Sequence, residues 1–119
     1  MSSDPTTNPA DDTITFDDFL KLRLRSGLVQ AAVAHPNADR LLVLTVDVGE
    51  PQPRTIVAGL ATKYAPDDLV GRTVIVVVNL KPAKLRGVMS QGMLLAAGEK
   101  EVEGLATLTA AVPPGTIVR

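Results

Sequence analysis

The chain has 119 residues, with 12 basic and 13 acidic side chains, one histidine and no cysteine. That length fits one domain, and an apolar content of 45% is enough for a core, although aromatic residues make up only 3%. The missing cysteines exclude a disulfide framework and thiolate metal sites, and no apolar run approaches the length of a membrane span.

The first 13 residues are small or polar and offer nothing to bury, so we expect residues 1–13 to be a disordered tail and residues 14–119 to form the domain. The tail has neither the basic start nor the apolar stretch of a secretory signal, and we expect a cytoplasmic protein. Three acids lie in it, which leaves 12 bases against 10 acids in the domain. The initial Met1 and the short acidic tail favour a free-standing protein over a domain of a longer chain.

A short helix is predicted directly after residue 14. Thr15, followed three residues later by Asp18, has the spacing of a capping box. Phe16 and Phe19 are also three apart and share one helix face. We therefore expect these two rings to hold the helix against the core.

Short strands are predicted next. Residues 24–34 form the first, in which Gly27 indicates a bulge or sharp bend, and the turn cluster His35 to Asp39 ends it. Residues 42–48 alternate with the two-residue period of a strand that buries one face. Another strand is predicted from Arg54 to Ala58.

The second half of the chain continues this pattern. Residues 64–71 suit a single helical turn, with proline near its start and glycine at its end. Residues 72–79 are apolar on both faces, so that strand is buried twice over, or one face meets another subunit. Residues 89–97 and 105–109 are predicted strands, and residues 112–119 a turn with a short extended piece. This is a mainly all-β domain, for which an OB-like or SH3-like closed barrel leaves no free edge.

The stretch from residue 79 to residue 98 has a local charge bias. It carries Lys81, Lys84 and Arg86 and no acid. It lies between two hydrophobic runs, which predicts a turn displayed above a rigid platform. Cations displayed in this way suit a phosphate backbone. A basic loop that is only solvated is the alternative.

Signatures of an enzyme are poor. The single histidine, His35, precedes a proline in a turn and has no nucleophile motif beside it, so a structural role is favoured. The glycines do not have the spacing of a phosphate-binding loop, and no metal-ligand cluster or cofactor is predicted. Since only Tyr64 is free to stack on bases, RNA would be recognised by its shape and backbone.

Two long motifs, HPNADRLLVLTVDVGE and IVAGLATKYAPDDLVGRTVIVVVNLKPAKLRGVMSQGMLLAAG, resemble the tRNA-binding domain family. Members occur as standalone dimeric proteins and as the C-terminal appendage of bacterial methionyl-tRNA synthetase. The resemblance implies an OB-fold five-stranded barrel, a C-terminal extension that supports a homodimer, and non-catalytic binding of tRNA, as an auxiliary factor or appended domain of an aminoacyl-tRNA synthetase. A secretion-chaperone branch shares this barrel, and a protein-binding module of that kind is the alternative.

The resemblance also implies a set of RNA-binding residues. Matched to this sequence, and with two neighbouring cations added, they are Asn79, Lys81, Lys84, Arg86, Ser90, Gln91, Met93, Arg40 and Lys63. The polar members can instead satisfy backbone groups, and the methionine can belong to the core. One departure lies at the start of the barrel, where the family commonly has an acid and a base but this chain has Arg23 and Leu28. A contact that the family makes through the basic residue at the position of Leu28 is therefore not expected in this chain.

Overall fold

The computed structural model describes residues 12–119, so most of the predicted tail lies outside the described residues. Helix α1 spans Phe16–Phe19, and a 3₁₀ turn spans Pro66–Asp68. The strands are β1 (Leu24–Ala34), β2 (Leu42–Asp47), β3 (Arg54–Ala58), β4 (Thr73–Val77), β5 (Ala83–Leu85), β6 (Val88–Ser90), β7 (Met93–Leu94), β8 (Ala96–Ala97), β9 (Gly104–Leu105) and β10 (Ile117–Val118).

The main sheet is antiparallel and runs in the order β3-β2-β1-β4-β7, with β10 paired to the start of β1. β1 is long enough to pair with β4 in its first half and with β2 in its second. Of the bulge or sharp bend predicted at Gly27, the bulge is wrong, because Gly27 pairs in regular register with Val74 and the register shifts instead between Val29 and Ala31. Gly27 is needed for another reason: a Cβ there would lie 2.6 Å from Cγ1 of Val46.

Backbone and side-chain hydrogen bonds of Ser90 and Gln91, at the end of β6, close the barrel against β3. The backbone N–H of Gln91 donates to the carbonyl of Thr55 at 2.8 Å, and its side-chain Oε1 accepts from the Thr55 N–H at 2.8 Å. The Ser90 hydroxyl accepts from the Val57 N–H at 3.0 Å. The result is a nearly closed five-stranded barrel, which confirms the predicted mainly β, OB-like fold.

The core follows from the strand patterns. On β2 the alternating side chains Leu42, Leu44 and Val46 are fully buried, as the two-residue period predicts. On β4, Val74 to Val77 are all buried, so both faces of that strand are covered within the single chain. Of the two predicted arrangements, β4 adopts the one that needs no second subunit.

The predicted cap of α1 is confirmed, but its predicted packing is wrong. Oγ1 of Thr15 accepts from the Asp18 N–H at 3.1 Å. Phe16 is 72% exposed, and its ring stacks on that of Phe19 with the centroids 6.5 Å apart. A helix of four residues is too short to bring both rings to the core, so they pack on each other instead.

Two predicted strands are also interrupted. Residues 89–97 are divided among β6, β7 and β8, with breaks at Gln91–Gly92 and at Leu95. Gly92 has a φ of 157°, and a Cβ at that position would lie 3.1 Å from the Val77 carbonyl oxygen. Only the first residue of the predicted strand 105–109 lies in a strand, and Thr107 instead donates through its hydroxyl to the Thr73 carbonyl at 2.7 Å. No helix within residues 12–119 is both long enough and apolar enough to cross a membrane.

Candidate nucleic-acid interface

The centre of the predicted basic stretch is a hairpin. β5 and β6 pair antiparallel, with Lys84 opposite Met89 and Leu85 opposite Val88. Arg86 and Gly87 form the two-residue turn, and their φ angles of 52° and 94° are both positive, as in type I′ turns. Such turns match the twist of the flanking strands, so the hairpin is a preferred local structure.

The hairpin has two different faces. Ser90 lies on the face that closes the barrel and is only 4% exposed. Since side chains alternate along a strand, Lys84 and Met89 share the opposite face, and both are exposed. Lys84 therefore projects away from the barrel.

Arg86 is the only residue other than glycine with a positive φ within residues 12–119. The left-handed conformation costs an ordinary residue about 1–2 kcal/mol. The guanidinium Nη2 donates to the carbonyl of Asn37 at 3.2 Å, which joins the hairpin tip to the turn between β1 and β2. Backbone strain of this kind is concentrated at functional sites.

His35 is a second link between that turn and the hairpin. Its Nδ1 accepts from the Asn37 N–H at 2.9 Å, and its Nε2 lies 3.0 Å from the Leu85 carbonyl. A backbone N–H can only donate and a carbonyl can only accept, so Nε2 carries the proton. The ring is 6% exposed and fully bonded, which gives His35 the structural role that was favoured.

Arg54 is an important residue that the sequence did not reveal. Its Nη1 donates to the carbonyls of Val78 and Gln91, at 2.8 and 2.9 Å. These carbonyls flank residues 79–90, which we call the basic segment. Nε and Nη2 donate to the two carboxylate oxygens of Glu50, both at 2.8 Å. The Arg54 hydrogen bond lowers the pKa of the Glu50 carboxyl, although burial opposes this, and the same bond raises the pKa of Arg54.

The polar members of the predicted site have partners within the chain. Oδ1 of Asn79 accepts from the Arg23 N–H at 2.9 Å, and its Nδ2 donates to the Lys21 carbonyl at 2.6 Å. Ser90 and Gln91 close the barrel, as described above. These three polar side chains therefore satisfy backbone groups, which was the alternative to a direct contact with RNA. Met93 is 48% exposed, so its assignment to the core is wrong.

The predicted cations fall into two groups. Lys81, Lys84 and Arg86 are exposed and form no ion pair among residues 12–119. Arg40 lies instead beside an acidic loop, with Nη1 at 3.5 Å from Oε1 of Glu101. The Arg40 carbonyl accepts from the Ala61 N–H at 3.2 Å, which brings the loop that carries exposed Lys63 next to the β1–β2 turn. Within the same described part of the chain, no cluster of acids and histidine suits a metal ion.

Comparison with known proteins now identifies the family. The profile of the family described as "Putative tRNA binding domain" matches residues 24–117. The chain belongs to this tRNA-binding domain family. It is 58% identical over 85 residues to methionine–tRNA ligase of Myxococcus xanthus, a match that covers 71% of this chain but only 12% of the ligase.

Two solved structures are similar over nearly their whole length. A MetRS-related protein of Pyrococcus horikoshii is 39% identical with a TM-score of 0.82, and the match covers 91% of this chain and 99% of that one. The chaperone CsaA of Bacillus anthracis is 30% identical with a TM-score of 0.81, and the match covers 90% of this chain and 99% of that one. The predicted family is therefore confirmed, and its barrel is shared with a chaperone.

Proposed function

We propose that this chain is a non-catalytic module that binds folded tRNA through the phosphate backbone, with the β5–β6 hairpin at the centre of the contact. The observation that carries this proposal is the state of Lys81, Lys84 and Arg86. They are exposed, they form no ion pair within residues 12–119, and they lie on a segment fixed to a rigid barrel. Cations without acidic partners can neutralise phosphates at no cost in broken ion pairs.

The other predicted residues support the same surface in different ways. Arg40 and Lys63 are flanking cations on two neighbouring loops. Asn79, Ser90 and Gln91 hold the backbone of the hairpin in place through their side-chain hydrogen bonds. Met93, exposed at the start of β7 and just beyond the hairpin, offers an apolar contact to a ribose or base.

Selectivity in this proposal comes from the shape of a folded RNA, because no platform of exposed aromatic rings lies beside the hairpin in residues 12–119. A binding panel tests it, with several tRNAs, a plain RNA hairpin and duplex DNA at one salt concentration. We expect the tRNAs to bind with similar affinity and more tightly than the other two ligands. Equal affinity for duplex DNA would contradict the proposal.

A homodimer, and an attached or associated aminoacyl-tRNA synthetase, are part of the proposal. Four large apolar side chains are exposed around α1 and β10: Phe16, Leu20, Leu22 and Ile117. The last three of them line a shared groove. A second copy would cover this surface and bring two basic hairpins to one RNA. Light scattering at micromolar concentration should give twice the mass of the chain, and a monomer would contradict the dimer. Similarity to part of methionine–tRNA ligase supports the link to a synthetase.

A protein-binding chaperone is the second candidate, because apolar side chains are also exposed around the hairpin: Leu80, Leu85, Met89 and Met93. The likeness to the chaperone CsaA favours it as well. The two candidates respond oppositely to salt, since phosphate contacts weaken while apolar contacts persist. Protection of an unfolded polypeptide in high salt, together with no binding of tRNA, would favour the chaperone.

A further inference from the structure

One nitrogen atom of Arg54 is hydrogen-bonded to the backbone at both ends of the basic segment. Nη1 of Arg54 donates to the carbonyl that precedes the segment, on Val78, and to the carbonyl that follows it, on Gln91. The segment itself leaves the main sheet, since β5 and β6 pair only with each other in the sheet ladders. The two ends of the basic segment are therefore held together by the Arg54 side chain as well as by the barrel.

Glu50 fixes the plane of the guanidinium group. Its two carboxylate oxygens accept from Nε and Nη2, each at 2.8 Å, in the bidentate geometry that only arginine can make. The Arg54 side chain is 20% exposed, so these bonds are partly sheltered from water. With its charge paired and its Nη1 directed at two carbonyls, this cation is not available to a phosphate.

We propose that Arg54, oriented by Glu50, is a positioning residue for tRNA binding. By joining both ends of the basic segment, it presents Lys81, Lys84 and Arg86 as a preformed set, so that binding does not have to order them. This inference deepens the proposed function and rests on it. Ordering side chains on binding reduces affinity, so a loosened segment should bind more weakly with all its charges present.

The first test replaces Arg54→Lys, which keeps the charge but loses the planar fork. We expect the affinity for tRNA to fall about tenfold and its salt dependence to become less steep, since fewer cations reach phosphates together. Hydrogen exchange at the amides of the basic segment should be faster in the free variant. All binding is measured well below the melting temperature of the variant, so that the folded protein is compared.

Arg72→Lys is the matched control. Arg72 also donates from its guanidinium to a backbone carbonyl, that of Asp68 at 2.7 Å, but it makes no described hydrogen bond to the basic segment. We expect this control to leave tRNA affinity, the salt dependence and exchange in the basic segment unchanged.

A second variant, Glu50→Gln, distinguishes a positioning role of Arg54 from a long-range effect of charge. It also provides the test if Arg54→Lys does not fold. This change removes a negative charge from the protein, so long-range attraction alone would strengthen tRNA binding. Loss of the bidentate hold on Arg54 should instead weaken binding and speed exchange. Tighter binding by Glu50→Gln, or unchanged affinity, salt dependence and exchange in Arg54→Lys, would overturn the proposal. If the native chain binds no tRNA, the proposed function fails, and exchange alone decides whether Arg54 holds the segment.

Discussion

Two hairpins outside the main sheet carry opposite charge. The β5–β6 hairpin has a two-residue turn and, in or next to it, three cations that form no ion pair within residues 12–119, whereas β8 and β9 are joined by the longer loop 98–103, which holds three acids and one lysine. His35, Arg54 and Arg86 attach the first hairpin to the barrel and to the β1–β2 turn. The second one meets that turn through the exposed Arg40–Glu101 pair. A net charge of −1 thus hides a separation of charge within the fold.

This contrast shows why total charge is a poor guide to the ligand. We expect an RNA at the basic hairpin to meet cations without acidic partners, and one that extends past Arg40 to meet the acids of loop 98–103. We therefore expect the acidic loop to limit the area over which a polyanion can bind. Each prediction below changes one of the two hairpins.

The largest effect is expected from reversing the charge of the basic hairpin, with Lys81, Lys84 and Arg86 all replaced by Glu. Binding of tRNA should fall below detection, since attraction to phosphate becomes repulsion. The proposed dimer and the melting temperature should remain nearly the same, because exposed charges contribute little to folding. Titration with labelled tRNA and a thermal melt measure both. Full affinity in this variant would mean that the hairpin is not the site.

A smaller effect is expected from Lys84→Ala. If three cations per subunit contact phosphates, the slope of log affinity against log salt is about −2 to −3, and this substitution should flatten it by about one unit. All tRNAs should be weakened alike. Lys100→Ala in the acidic loop is the control with the same loss of charge. Equal slopes for the native chain and Lys84→Ala would identify Lys84 as a solvated side chain.

The smallest effect is expected in the acidic loop. Glu101→Gln frees Arg40 and should raise tRNA affinity by about twofold to threefold, as an exposed ion pair contributes at most ~1 kcal/mol. Glu99→Gln removes the same charge from the same loop, but Glu99 forms no ion pair within residues 12–119. Competition binding against the native chain can resolve the difference. If both variants gain equally, the effect is long-range charge, and the Arg40–Glu101 pair plays no part.

Local patterns predicted most of the barrel. The two-residue period of residues 42–48 and the β-branched run before Asn79 depend on neighbours in sequence, and both became strands. The exposed cations were also predictable, because charged side chains are rarely buried without a partner. The prediction that Phe16 packs against the core was wrong. A spacing of three residues places two side chains on one helix face, but it does not indicate what that face contacts.

The supports of the site could not be read from local patterns. Arg54 reaches carbonyls that are 24 and 37 residues away, and His35 reaches one that is 50 residues away. A backbone carbonyl leaves no mark in the amino-acid sequence, so nothing near these residues indicated their partners. Ser90 and Gln91 were singled out, but sequence alone left their role as contacts or as supports open.

Arg86 has a left-handed backbone conformation, which favours asparagine or glycine at this position, whereas binding of a polyanion favours a positively charged residue there. Asparagine or glycine adopts that turn position more easily, and the loss of the exposed bond from Arg86 to the Asn37 carbonyl offsets part of this gain, so Arg86→Asn should raise the free energy of unfolding by up to about 1 kcal/mol. The same substitution would remove one of the three cations that form no ion pair within residues 12–119. A more stable form of this protein is therefore easy to make, and it would be a weaker partner for a polyanion. At this one position, stability and binding favour different amino acids.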